Sequence, residues 1–138
     1  MSGELLREWR SEKKLTYALG ASLFNVFSLP RQSGFRKSFA YAGEAIDRGW
    51  SVLIFPEGHE TRNGEMQSFR SGIGLLASQV NVPIIPIKLE GLFELKKRRQ
   101  YFVRPGTVSV TFGEPVRFQA AQAPEEITRD LESRVRAL

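Results

Sequence analysis

Apolar residues recur along this chain in two rhythms. Between Gly34 and Asp47, Phe35, Phe39, Ala42 and Ile46 stand four, three and four positions apart, which is the spacing of one helix face, and Gly49 follows as a stop. The next segment, Trp50 to Phe55 (WSVLIF), is a nearly continuous apolar run ended by Pro56 and Gly58. Such a run predicts a short strand buried on both faces. Ile73, Leu76, Ala77 and Val80 predict a helix from Ser71 to about Gln79, and Ile84 to Leu89 reads as a second buried strand. Helix, strand, helix, strand in that order predicts an α/β fold whose mixed, mostly parallel sheet is flanked by helices.

Past Gly91 the pattern changes. Lys96-Lys97-Arg98-Arg99, followed by Tyr101 and Phe102, is a basic, aromatic loop. Thr107 to Phe112 (TVSVTF) alternates as a half-buried strand does, and Gly113-Glu114-Pro115 ends it. A last helix is predicted from Pro124: proline suits the first helical position, Glu125 and Glu126 lie in the first turn, and Arg134 and Arg136 lie near the end. Ile127, Leu131, Val135 and Leu138 give it one apolar stripe with which to dock. Near the other end of the chain, Leu15 to Leu29 is an uncharged stretch of 15 residues. A spanning helix needs about 20 apolar residues, so this stretch reads as a buried or an interfacial helix.

Composition narrows the class. With 138 residues, 41% of them hydrophobic and 25% charged, the chain reads as one domain, residues 1–138. The absence of cysteine excludes disulfides, thiolate nucleophiles and thiolate-held metals, and it predicts a cytoplasmic address. A formal charge of +5 favours anionic partners, among which nucleic acid, phospholipid headgroups and phosphorylated metabolites are not distinguished by charge alone.

Candidate chemistry gathers where the Trp50–Phe55 run ends, since ligands of open α/β sheets bind at the carboxyl ends of strands. The loop there reads Phe55-Pro56-Glu57-Gly58-His59-Glu60-Thr61-Arg62-Asn63-Gly64. It is either a solvated connection, as polar loops commonly are, or an anion site. In the second reading Gly58 and Gly64 let main-chain amides approach a ligand, and Arg62 and Arg70 pair with phosphate.

These residues resemble a known family. Phe55-Pro56-Glu57-Gly58, then Gly64-Glu65-Met66, Phe69-Arg70 and Gly72, are similar to the third motif of the lysophosphatidic acid (glycerolipid) acyltransferases, usually FPEGTRS followed by a basic residue and glycine. Val82-Pro83-Ile84-Ile85-Pro86-Ile87 resembles the fourth motif, and Asn25 to Arg31 (NVFSLPR) resembles the second. Phe112-Gly113-Glu114-Pro115 is similar to a later element of the FGEP type, so the resemblance covers about residues 15 to 118 with its motifs in order. It implies transfer of a fatty acyl group from a thioester, on coenzyme A or acyl carrier protein, to a lysophospholipid or glycerol-phosphate acceptor in phospholipid biosynthesis. No other cofactor and no metal is implied.

By the same resemblance Arg31, Arg62 and Arg70 bind the acceptor phosphate, and Glu57, Gly58 and His59 shape its pocket. Arginine forms bidentate, charge-assisted bonds to phosphate, so the residue type fits. Arg31 also reads as a surface cation beside a turn, and Glu57 as a structural carboxylate. The implied partners are the acyl donor, the acceptor and the surface of an anionic membrane leaflet, which the enzyme would meet peripherally from the cytoplasm.

Two departures from the family pattern matter. His59 and Glu60 stand where threonine and arginine are usual, so a negative charge replaces a cation; Arg62 can compensate from two residues on. More seriously, the family's general base is a histidine oriented by an aspartate five positions later (HxxxxD), whereas His59 is the sole histidine here and Gly64 lies five positions beyond it. His59 is therefore read as a loop or pocket residue, and no catalytic residue is assigned. Three explanations stand: a domain lacking its first strand–helix unit, with further sequence upstream in the full-length protein; a degenerate, non-catalytic module that binds anionic lipid; or half of a site completed by another segment. The first predicts an unpaired sheet edge or an uncovered apolar face, near Leu15–Leu29. A nucleic-acid interface is set aside, because basic residues interleaved with stacking aromatics are confined to the loop around Tyr101 and Phe102.

Overall fold

The computed structural model describes residues 35–95 and 106–138, so Leu15–Leu29, Arg31 and the basic tract Lys96–Arg99 with Tyr101 and Phe102 lie outside the described residues. Contacts divide the chain into two compact units, Met1–Ala42 and Gly43–Leu138. Helix α1, Phe35–Asp47, begins in the first and ends in the second. Of its expected stripe, Ala42 is fully buried and Phe39 and Ile46 are half-buried. The helix ends where Gly49 was expected to stop it. Gly49 takes a φ of 80°, its N–H donates to the Ile46 carbonyl (2.9 Å), and the Trp50 N–H reaches back to Ala45 (3.0 Å). That paired closure satisfies two orphan carbonyls and needs a left-handed residue, which glycine supplies without a Cβ clash.

In the second unit follow α2 (Gly72–Gln79), β1 (Ile87–Glu90), the single turn α3 (Leu92–Leu95), β2 (Ser109–Phe112) and α4 (Pro124–Ala137). The structure is thus mixed helix and strand, as expected. Helix α4 starts as its sequence predicts: Ala123 is extended, Pro124 stands at the first helical position, and acidic residues open and basic residues close the helix. Ion pairs one turn apart, Asp130–Arg134 (2.8 Å) and Glu132–Arg136 (2.9 Å), line its polar side. Its apolar side lies against α2. Ala77, Ile127 and Leu131 are buried at the centre, and Phe69, Ile73, Ile84, Val116 and Phe118 close around them.

The two helices meet where α2 has no side chain. A Cβ on Gly74 would run into the Pro124 carbonyl oxygen and the Thr128 Oγ1, so the close approach of α4 depends on that glycine. Thr128, itself buried, turns its hydroxyl back to the Pro124 carbonyl (2.9 Å) and so carries no unsatisfied polar group into the contact.

Two expectations about strands are corrected. Residues 50–55 form no strand and have no ladder partner among the described residues, and burial alternates along them: Val52 and Ile54 are half-buried, while Leu53 and Phe55 are 67% and 65% exposed. Ile84–Leu89, expected as a buried strand, instead enters the sheet at Ile87, after an isolated bridge from Ile84 to Val116. The sheet among the described residues is a two-stranded antiparallel ribbon, pairing Ile87 with Phe112, Lys88 with Thr111, Leu89 with Val110 and Glu90 with Ser109. Because directly paired residues share a face, Ile87, Leu89, Val110 and Phe112 form one apolar face, of which Phe112 is 66% exposed. The half-buried character expected for Thr107–Phe112 is therefore inverted, with Thr111 as its half-buried member. An apolar run predicts that both faces can be buried, and only neighbouring elements decide whether they are.

One long-range bond ties α4 to the loop before α2: Glu132 Oε2 accepts the Phe69 N–H at 2.9 Å. This bond, then the hydrogen bond from Arg136 and its charge, hold the Glu132 carboxyl below the usual carboxylate range against an opposing desolvation.

Two predictions follow from these contacts. Gly74→Val should lower the urea midpoint by the equivalent of about 1–3 kcal/mol, the usual cost of overpacking. Gly74→Ala should lose less than Gly74→Val but still lose, because its single Cβ already meets the Pro124 carbonyl oxygen and a gain of about 1 kcal/mol in helix propensity offsets only part of that collision. For Glu132 the native pKa is depressed, so its contribution is complete above about pH 4.3, the ordinary glutamate value, and is lost as pH falls through the lower native value. Urea midpoints taken along that acid limb should fall less steeply for Glu132→Gln than for the unaltered chain.

Candidate functional site

The loop from Phe55 to Arg70 opens with a tight turn. The Gly58 N–H donates to the Phe55 carbonyl (3.2 Å) around Pro56 and Glu57, and Gly58 leaves the turn with a φ of 73°. Proline presets the second residue of such a turn, and a left-handed exit favours glycine. The Glu57 carboxylate then reaches across the loop, where Oε2 accepts the Gln67 N–H at 2.6 Å. The Arg70 N–H closes the same bracket on the Pro56 carbonyl (3.0 Å). Thus the structural role foreseen for Glu57 is the one its geometry displays: it fastens the two arms of the loop together.

Between the arms the chain is ordered by its own short polar side chains. Thr61 Oγ1 accepts the Gly64 N–H (3.0 Å) and donates to the Glu65 carbonyl (2.8 Å). Asn63 accepts the Glu65 N–H (3.2 Å) and donates to the Glu65 carboxylate (2.7 Å). These local bonds let a polar segment keep one shape without a core beneath it.

Arg70 is the best-placed of the expected phosphate ligands. Its side chain lies across Gly58, where a Cβ would meet Nε and Cδ, and Nε donates to the Glu57 carbonyl at 3.2 Å. The two terminal nitrogens keep no partner among the described residues, so the guanidinium is anchored at one edge and open at the other. That is the arrangement a bidentate contact to phosphate requires. Arg62 is exposed at the loop tip without a partner among the described residues. Arg31 lies outside them.

His59 is exposed, and its Nδ1 stands 3.4 Å from the Glu60 carbonyl. A carbonyl oxygen only accepts, so the ring nitrogen is the donor in that contact. No carboxylate among the described residues bonds the imidazole as an orienting acid would.

Sequence reasoning missed three participants. Gln67 supplies the amide that Glu57 holds, Glu132 holds the next-but-one amide at Phe69, and Arg136 reaches the Met66 carbonyl at 3.4 Å. The pair Glu132–Arg136 was legible as a helical ion pair. Its second task, on a loop 63 residues earlier, had no local signal.

Comparison with known proteins identifies the family. Residues 14–90 match the acyltransferase family. A mouse 1-acyl-sn-glycerol-3-phosphate acyltransferase alpha is 43% identical over 67 residues, which is 47% of this chain and 23% of that protein. The human beta enzyme is 34% identical over 91 residues (64% and 33%), and the coconut enzyme is 29% identical over 76 residues (55% and 25%). The matched stretches thus span about a quarter to a third of these relatives. No solved structure matches the chain. Matched over more than half of its 138 residues, the chain belongs to the acyltransferase family and is related to the lysophosphatidic acid acyltransferases of phospholipid synthesis.

Proposed function

We propose that this chain forms the acceptor-binding side of an enzyme that moves a fatty acyl group from a thioester, on coenzyme A or acyl carrier protein, to the hydroxyl of a lysophospholipid or glycerol-phosphate acceptor. The observation that carries the reading is Arg70, anchored across Gly58 to the Glu57 carbonyl with its outer edge open. A phosphate received there would be gripped by a charge whose orientation is set before binding, which reduces the ordering cost of association. Arg62 and Arg31 would add charge from the loop tip and from the second motif. Glu57, Gly58 and His59 would shape the acceptor pocket, with Glu57 acting through the loop it fastens.

In the reaction the acyl carbon–sulfur bond breaks, an ester carbon–oxygen bond forms, and the acceptor hydroxyl loses its proton to a general base. His59 is a poor candidate for that base. It lacks an orienting carboxylate among the described residues, and the sequence places no aspartate five positions beyond it. The base would then come from a histidine–aspartate pair outside these 138 residues, completing a mostly parallel sheet to which residues 50–55 contribute. The exposed Leu53 and Phe55 and the apolar ribbon face are surfaces that such a sheet and its helices would cover. No helix among the described residues is long and apolar enough to cross a membrane. Peripheral contact with the cytoplasmic face of the bilayer is part of this proposal, and the net charge of +5 favours it.

A second reading, a non-catalytic module that binds anionic lipid, is favoured by the same solitary histidine. The two readings share the phosphate site and differ in whether a base is supplied.

Loss of a general base typically costs about 10²- to 10⁴-fold, so the purified chain should transfer labelled acyl groups at background rates, and robust turnover would overturn this assignment. Calorimetric titration with glycerol 3-phosphate should give weak binding that falls about tenfold or more in Arg70→Ala, in Arg62→Ala and in Arg31→Ala, since a charge-assisted bond is worth about 1.5–3 kcal/mol. Equal affinities across the four proteins would remove the site.

A further inference from the structure

We propose that helix α4, which lies beyond the family-matched residues 14–90, is a clamp that sets the position of Arg70, and that Glu132 is its positioning residue. The inference rests on Arg70 being the phosphate ligand, and it extends the site to an element of the fold that the motifs do not reach.

The clamp acts on the residue before Arg70. The Phe69 ring packs against the core of Ala77, Ile127 and Leu131, while the Phe69 N–H is held by Glu132 Oε2 at 2.9 Å. The main chain of Phe69 is therefore tied to α4, and its side chain to the core that α4 shares with α2. Immediately after it, the Arg70 N–H is committed to Pro56 and Nε to Glu57, so the side chain crosses Gly58 in one orientation. A displacement at Phe69 would be passed on to Arg70 through a single peptide unit.

Glu132 is itself held for this task. Its side chain is 21% exposed, and its two oxygens divide the work: Oε2 takes the amide, and Oε1 takes both Arg136 Nη2 (2.9 Å) and Nε (3.1 Å). Arg136 Nη2 also approaches the Met66 carbonyl at 3.4 Å. One ion pair on one helix turn thus grips residues 66–69 at both ends, at the Met66 carbonyl and at the Phe69 amide. An ion pair needed only for helix stability would have no such reach. Asp130–Arg134, two positions earlier on the same helix, bonds only within α4.

The test reads Arg70 directly and then its ligand. The Arg70 Nε–H and Phe69 amide are followed by NMR hydrogen exchange in the unaltered chain, Glu132→Ala, Glu132→Gln, Arg136→Ala and the control Arg134→Ala, and each protein is titrated with glycerol 3-phosphate. Glu132→Ala should raise exchange at both protons about tenfold or more and weaken glycerol 3-phosphate about tenfold. Glu132→Gln, whose amide oxygen can still accept from Phe69, should restore most of both. Arg134→Ala should leave Arg70 unchanged even if it lowers the melting temperature, which separates positioning from helix stability. Should Glu132→Ala fail to fold, Arg136→Ala carries the same readout, because it removes the Met66 grip and the partner that steadies Glu132. Unaltered Arg70 exchange in the folded variants overturns the clamp. A clamp response at Arg70 in a chain that binds no glycerol 3-phosphate supports the positioning and overturns the phosphate site instead.

Discussion

The contact of α4 with α2 at Gly74 is the constraint on which the rest of the second unit depends. Helices usually pack with their axes about 8–10 Å apart, at a distance set by the side chains between them. Removing the side chain at the crossing lets main chain meet main chain, and Pro124 and Thr128 occupy the space that a Cβ would take. This approach brings Ile127 and Leu131 onto Ala77 and draws in Phe69 from the loop, Ile73 from α2, and Ile84, Val116 and Phe118 from the segments that flank the ribbon. A small core made this way is sensitive to volume, because few residues share each contact.

Upon that core stands a loop ordered mainly by hydrogen bonds. Two carboxylates, Glu57 and Glu132, hold the amides of Gln67 and Phe69, alternate residues of one arm. Charged acceptors suit the position, since a charge-assisted bond to an amide is roughly twice as strong as a neutral one. They also place negative charge beside the arginines of a chain with net charge +5. At Arg70 the inner edge of the guanidinium answers the turn carbonyl, while its terminal nitrogens keep no partner among the described residues. Glu132 and Arg136 repeat that logic on α4, where the ion pair satisfies itself and still has an oxygen and a nitrogen to spend on the loop.

The exposed apolar surfaces follow from the same architecture. The ribbon turns Leu89, Val110 and Phe112 outward, and the apolar run before the loop exposes Leu53 and Phe55. Contiguous apolar surface on a strand is ordinarily covered by a neighbouring element.

The amino-acid sequence by itself determined the local elements and the family. Helical spacing located α1, α2 and α4 nearly to the residue, because period and termini are written locally in Gly49, Pro124 and the flanking charges. The FPEG segment and the VPIIPI segment carried the relationship, because the turn chemistry of Pro56 and Gly58 leaves a short, specific signature. Tertiary structure alone decided which faces are covered and which side chains serve the loop. A continuous apolar run such as Trp50–Phe55 says that burial is possible, but burial is a relation between elements, and here only Val52 and Ile54 obtain it in part. Likewise, a glutamate and an arginine one turn apart predict an ion pair, whereas the bond from Glu132 to Phe69 spans 63 residues and is made only where α4 packs beside the loop.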